Sequence, residues 1–277
     1  MKEGVEMVEV FERSVRPQAI SSSKGNQLKW ENDNVWYKAD YMGYEGLAEY
    51  VVSHMLCKSS LNKKEIVIYE PEQIKYKRIV YQGVKSNSFI NGEQQIVTLE
   101  RLFRITRNKS LSEEIWHIHD TEQRLKFLVE QIEQITGLKE FGIYMNRLFT
   151  IDAIFLNEDR HMHNIAVLMD GKGKFEYCPI FDNGGCLLSD TTMEYPIGED
   201  VFKLIDEVKS KTISTDFDEQ LDVSEKLYGE NIRFSFTKND VKNILASALN
   251  YDEHIRQRVQ EIIYHQMNKY SYLFSDI

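Results

Sequence analysis

The sequence is poor in the residues that break or staple a chain: 4 prolines, 14 glycines and 3 cysteines in 277 residues. With no low-complexity tract either, wholesale disorder is excluded. Cys57, Cys178 and Cys186 form no C-x-x-C pair, so neither a zinc ribbon nor a disulfide framework is expected. No run reaches the roughly 18 apolar residues that span a bilayer. The first residues, Met1-Lys2-Glu3-Gly4-Val5-Glu6, carry acid where a signal peptide needs an apolar stretch. A cytoplasmic location follows by default, with non-classical secretion left open. Positive charge is short as well: 34 Lys and Arg against 44 Asp and Glu give a formal net charge of −10. Such a chain has no overall attraction for nucleic acid or anionic lipid, so no nucleic-acid partner is expected.

What is present is material for a core. Hydrophobic residues make up 42% and aromatics 12%, enough for one large domain or two packed lobes. Residues 28–31 and 35–40 read as strands around the turn Asn32-Asp33-Asn34. Leu47, Val51 and Met55 mark an amphipathic helix over 44–56. Further strands are predicted at 65–69, 75–81 and 95–100, with Asn91-Gly92 as a turn before the last. Past Arg104 the period becomes helical. Leu125, Leu128, Ile132 and Ile135 share a face of a helix over 122–136, and a second follows over 138–156. Two short strands, 165–169 and 175–180, flank the hairpin signal Asp170-Gly171-Lys172-Gly173, before helices at 201–209, 238–249 and 252–270. The order predicts an α+β fold in two lobes: β-rich with one helix over 1–104, mainly helical over 105–277.

The hairpin has chemistry at both ends. Before it, residues 157–164 pack Asp159, His161 and Asn164 between two apolar elements; after it comes Asp182-Asn183-Gly184-Gly185. Phosphoryl transfer needs a carboxylate to orient the attacking hydroxyl, and hard oxygens to hold Mg²⁺ against the phosphates. An Asp, an Asn five residues on and an Asp past a short hairpin supply those parts. Gly184-Gly185 lets the backbone turn away from a crowded site.

Here the sequence resembles a known family. Asp159-Arg160-His161-Met162-His163-Asn164, followed by a hairpin and Asp182, resembles the HipA-type Ser/Thr kinases in compact, stand-alone form. It is more distantly similar to the phosphatidylinositol kinases. The resemblance implies a two-lobed kinase fold that uses ATP and Mg²⁺. It implies Asp159 as catalytic base, Asn164 and Asp182 as Mg²⁺ ligands, and His161 as a brace or an aid to the substrate proton. Lys38, inside the apolar strand Val35-Trp36-Tyr37-Lys38-Ala39, resembles the lysine that contacts the α- and β-phosphates. Glu49 in Ala48-Glu49-Tyr50 is its implied partner, with Glu45 one turn earlier as second choice. Thr98-Leu99-Glu100-Arg101-Leu102-Phe103-Arg104 resembles the family hinge, so the backbone of Glu100, Arg101 and Leu102 is expected at adenine. The loop Ser21-Ser22-Ser23-Lys24-Gly25 would cradle phosphate; with the single glycine Gly25 it relies on Ser22, Ser23 and Lys24.

Blander readings stand beside these. Asp159, Asn164 and Asp182 taken singly are ordinary turn formers or helix caps. His161-x-His163 lacks the further ligands of a zinc site. Lys38 alone reads as a lysine snorkelling from a strand edge, and Glu45 and Glu49 as a solvated helix face. Among acceptors, a protein Ser or Thr is favoured over an inositol phosphate, because residues 183–202 contain no Lys or Arg but include Asp190, Glu194, Glu199 and Asp200. Self-phosphorylation at Ser21–Ser23, Ser189, Thr191 or Thr192 is a further expectation. A small-molecule phosphotransferase and a non-catalytic nucleotide-binding pseudokinase are the alternatives.

Overall fold

The computed structural model describes residues 7–10 and 27–274. Asp33 and Asn34 take left-handed backbone, φ 49° and 65°, which short polar side chains tolerate better than others. The tight turn they make joins β2 (Lys29–Asn32) to β3 (Val35–Ala39). With β1 (Met7–Val10), β4 (Glu70–Tyr76) and β5 (Ile79–Asn87) they build a sheet in the order β1-β4-β5-β3-β2. β1 runs parallel to β4 and the other pairs are antiparallel. On one face of this sheet Trp30, fully buried, packs with Val10, Tyr37, Ala39 and Ile74.

Two predicted strands are corrected here. Residues 65–69 are not a strand: Lys63–Glu65 is a short 3₁₀ turn, Ile66 makes one isolated bridge to Ile180, and pairing starts at Glu70. The expected strand 75–81 spans a reversal, because Lys77 at φ 58° turns β4 into β5. That turn has no Gly, Asn or Pro to announce it, so two strands read as one.

The helix α1 (Glu45–Leu56) buries every residue except His54, because it lies between the sheet and the C-terminal helices. A second, three-stranded sheet orders β6 (Gln95–Thr98), β7 (Ala166–Met169) and β8 (Phe175–Tyr177). Thr98 ends β6 and caps α2 (Leu99–Arg107) by accepting from Arg101 N, so the expected extended hinge is the first turn of a helix. Then come α3 (Leu111–Trp116), α4 (Thr121–Thr136) and α5 (Phe141–Phe155). After the hairpin follow α6 (Val201–Glu207), α7 (Phe217–Tyr228), α8 (Lys238–Ser247) and α9 (Glu253–Lys269). The periodicity missed α2, α3 and α7. The last two carry N-cap signals, Ser110 bonded to Glu113 N and Asp216 to Glu219 N. One hydrophobic core runs from α1 through α5, where thirteen of fifteen residues are buried, to α9. Among the described residues no helix is long and apolar enough to cross a membrane.

Candidate active site

Strand alternation puts Lys38 on the inner face of β3. Its ammonium donates to Glu49 of α1, to Asp182 Oδ1 at 3.0 Å and to the Tyr69 hydroxyl at 3.3 Å. Burial alone would depress this lysine; the Asp182 and Glu49 carboxylates outweigh it and hold the ammonium protonated well above the usual range. Burial likewise works against ionisation of Asp182, but Lys38, Lys29 and Arg160 hold its carboxyl well below the ordinary aspartate range. The second Glu49 oxygen accepts from Asn183 N at 2.8 Å. Glu49 therefore joins the β3 lysine to the backbone that follows the β7–β8 hairpin. Glu45, the second choice from the sequence, instead accepts from the N–H groups of Tyr41, Met42 and Gly43.

The loop after α5 is held from beneath by Arg160, whose side chain is 1% exposed. Its Nε donates to both Asp152 oxygens, at 3.1 and 3.2 Å. Its Nη1 donates to the carbonyls of Phe181 and Asp182, at 2.9 and 3.4 Å, and its Nη2 to Asn183 Oδ1 at 2.8 Å. One buried guanidinium thus fixes Asp182-Asn183 against the loop that bears Asp159 and Asn164. Asn164 Nδ2 donates to the Asp159 carbonyl at 2.8 Å and to Asp159 Oδ2 at 3.2 Å. His161 Nε2 lies 3.8 Å from Asp159 Oδ1; burial lowers its pKa, with Asp159 opposing and His163 reinforcing. Gly185 has a packing reason, since a Cβ there would stand 2.6 Å from the Asp159 Cβ. Asp182 sits at φ 59°, in the left-handed region that aspartate tolerates better than most residues.

A cleft lined by Gln27, Tyr41, Asp159, Asp182, Gly184 and Ser189 opens here. The donor set suits a hard cation. Asn164 Oδ1 and Asp182 Oδ2 take no hydrogen bond among the described residues, while the other atom of each group is engaged. Two protein oxygens are what Mg²⁺ uses when water and phosphate complete its shell. No group of three His, Cys, Asp or Glu side chains able to hold a metal occurs among the described residues.

Other expected contacts are placed differently. The backbone N–H of Glu100 donates to the Met162 carbonyl and that of Arg101 to Thr98, while the Glu100 side chain binds Ser112 and Arg104. The N–H groups of Glu100 and Arg101 are thus engaged, and Leu102 is buried in the same helical turn. Ser22, Ser23, Lys24 and Gly25 lie outside the described residues. Ser189 is buried and spends its hydroxyl on the Gly184 carbonyl, whereas Thr192 is exposed and bonds the Met42 carbonyl.

Sequence reasoning missed two cations. Arg160 was read only as a letter in the motif. Lys29 is paired directly with Lys38 across the β2–β3 hairpin, which puts both side chains on one face. It makes no ion pair among the described residues, and burial lowers its pKa although Asp182 opposes the fall. Counting the register back from Asn32 and Val35 would have found it.

No protein-family model matches the sequence, and no curated protein matches it. Among solved structures the chain is similar to a proinflammatory kinase of Helicobacter pylori, CtkA, with a TM-score of 0.62, 18% identity and 95% of each chain covered. A looser likeness, TM-score 0.43 and 12% identity, is to the Shewanella oneidensis MR-1 toxin–antitoxin complex of HipA, HipB and operator DNA; it covers 92% of this chain and 67% of that one. The first likeness establishes the fold class: the chain has a kinase fold, as the resemblance to HipA-type kinases implied.

Proposed function

We propose that the chain is an ATP- and Mg²⁺-dependent protein serine/threonine kinase. The observation that carries this reading is the three-way junction of Lys38, Glu49 and Asp182, beside a loop in which Asn164 is bonded to Asp159. Lys38 and Lys29 are two cations on one sheet face, suited to the α- and β-phosphates of ATP. Asn164 Oδ1 and Asp182 Oδ2 would hold Mg²⁺, which when bound supplies charge neutralisation between the phosphates. Asp159 then receives the proton of the acceptor hydroxyl as its oxygen attacks the γ-phosphorus. The bond to the bridging oxygen breaks, and ADP leaves. Arg160 supports this chemistry from behind by fixing both ends of the hairpin.

The acceptor reading rests on the segment after Asp182. Glu194, Glu199 and Asp200 are exposed, and so are Met193 and Ile197, at 72% and 43%. An acidic, partly apolar surface beside the cleft favours a protein segment with basic residues over an anionic inositol phosphate. Radiolabelled ATP with a cell lysate tests the reading: label on protein bands that needs Mg²⁺ supports it. Label confined to lipid or small molecules would replace it with another kinase class. An Asp159→Asn chain that labels as strongly as the wild type would remove the site assignment.

A further inference from the structure

The catalytic junction leaves the half-buried carboxylate of Asp40, in the β-rich lobe, without a role. Asp40 follows Lys38 by two residues. Its Oδ1 accepts from Gly46 N at 2.6 Å, and Gly46 precedes Glu49 by three residues, less than one turn of α1. Its Oδ2 accepts from the Tyr251 hydroxyl at 2.9 Å. Tyr251 lies in the connection between α8 and α9, far along the chain, and is 6% exposed. One side chain thus ties the end of β3, the start of α1 and the helical lobe together. The first is the strand of Lys38, and the second the helix of Glu49.

The surroundings are built for this contact. A Cβ on Gly46 would stand 2.7 Å from the Tyr251 hydroxyl and 2.8 Å from Asp40 Oδ1, so only glycine leaves room. The Gly46 N–H is one of the first-turn donors that a helix cannot satisfy internally. Asn250, next to Tyr251, reinforces the contact by donating to Gln82 Oε1 at 3.2 Å. The intervening loop is anchored at its other end too: Tyr44 N donates to the Ser189 carbonyl and Thr192 N to the Met42 carbonyl. Both segments of the helical lobe that reach this loop therefore bear on the first turn of α1.

We propose that Asp40, with Tyr251 and Gly46, forms an interlobe clasp whose task is to position Glu49 against Lys38. It rests on the kinase reading given above. Asp40 and Tyr251 are positioning residues, since neither touches the reacting atoms. When the clasp is open, α1 pivots at its N-terminus, Glu49 withdraws from Lys38, and the lysine follows Asp182 alone. The buried Lys38–Glu49 pair makes this costly, because the Glu49 carboxylate, 1% exposed, finds no water when Lys38 is lost to it.

The test is Tyr251→Phe, which removes one oxygen and keeps the ring. The expected result is a kcat about tenfold lower, equivalent to about 1.4 kcal/mol in the barrier, with KM for a peptide acceptor within about twofold of wild type. The same substitution in a Glu49→Gln background should have almost no further effect, because its route of action is already cut. Equal losses in both backgrounds, or no loss in either, would overturn the clasp. Hydrogen exchange at the Gly46 amide gives a readout independent of turnover. It should quicken in Tyr251→Phe while amides in the core of α5 keep their protection, and unchanged exchange would also overturn it. Gly46→Ala is the second variant: helix propensity alone favours alanine, whereas the clasp predicts the same kinetic loss as Tyr251→Phe. If the wild type neither binds a fluorescent ATP analogue nor transfers phosphate, the kinase reading falls. The Gly46 exchange result then still decides whether the clasp holds α1.

Discussion

Asp40→Asn should stabilise the protein at alkaline pH, a result opposite to the usual expectation for removing a bonded carboxylate. Burial, then the neighbouring Glu45 carboxylate, push Asp40 from 3.8 up to about 7, against the hydrogen bonds from Gly46 and Tyr251 that favour ionisation. Below about pH 4 the acid is protonated folded or unfolded and contributes nothing. Between about 4 and 7 the folded chain holds a proton that the unfolded chain has lost, so stability falls as pH rises. Above about 7 the full cost of the half-buried charge is present. At about 1.36 kcal/mol per pKa unit the rise from 3.8 to about 7 gives an upper figure on the order of 4 kcal/mol. Asparagine keeps an oxygen for Gly46 N and leaves the Tyr251 hydroxyl free to rotate and accept. Even half of that figure would raise the melting temperature by roughly 4 °C in a chain this size. Thermal unfolding of both proteins from pH 4.5 to 8.5 gives the answer, since other titrations cancel in the difference. The two curves should approach each other toward pH 4 and separate toward 7, with the variant higher. A variant less stable than wild type at pH 8, or a gap that does not change with pH, would refute the reasoning.

Three further outcomes follow from the same contacts. Lys38→Met leaves the Glu49 and Asp182 carboxylates without the cation that bridges them. It should cost about 3–5 kcal/mol in urea unfolding as well as abolish transfer; unchanged stability would mean that the pair is solvated. Arg160→Met should cost a similar amount and release Asp182-Asn183 from the loop below, read as lost protection of the Asn183 amide; retained protection would show that Glu49 alone holds that segment. Peptides with Lys or Arg flanking the acceptor serine should have a KM lower than acidic versions by about tenfold at low salt. The gap should shrink as salt rises, and equal KM values would remove the acidic surface from the acceptor site.

Much of the site was legible because its parts lie at fixed spacings on elements with strong signals. The apolar periodicity of α5 and the Asp170-to-Gly173 hairpin framed the loop of Asp159 and Asn164, and their predicted positions needed little revision. Asn32-Asp33-Asn34 announced the β2–β3 hairpin, which carries Lys38. The failures have local causes. The β4–β5 turn is made by Lys77 and Arg78, residues with no turn preference, and the left-handed φ at Lys77 is imposed by the sheet around it. Leu99, Leu102 and Phe103 are spaced as on a helix face, a signal passed over because the segment was read as a strand end and hinge; Thr98 caps it as a helix and Glu100 is buried against Ser112 and Arg104. Long-range partners were beyond reach altogether. Nothing local links Asp40 to Tyr251, because that contact exists only once the two lobes pack, or Arg160 to Asn183, because that one exists only once the β7–β8 hairpin folds back.

The most direct test of the central claim is phosphoryl transfer by purified wild type and Asp159→Asn, each with Mg-ATP and a Lys/Arg-flanked serine peptide. Transfer is followed by the mass of the peptide, and ATP binding by fluorescence of a labelled analogue. The account predicts a gain of one phosphate on the peptide with wild type. With Asp159→Asn it predicts a rate lower by about 10²–10⁴ and unchanged nucleotide binding. Equal transfer by both proteins, or none by a wild type that binds no nucleotide, would contradict it.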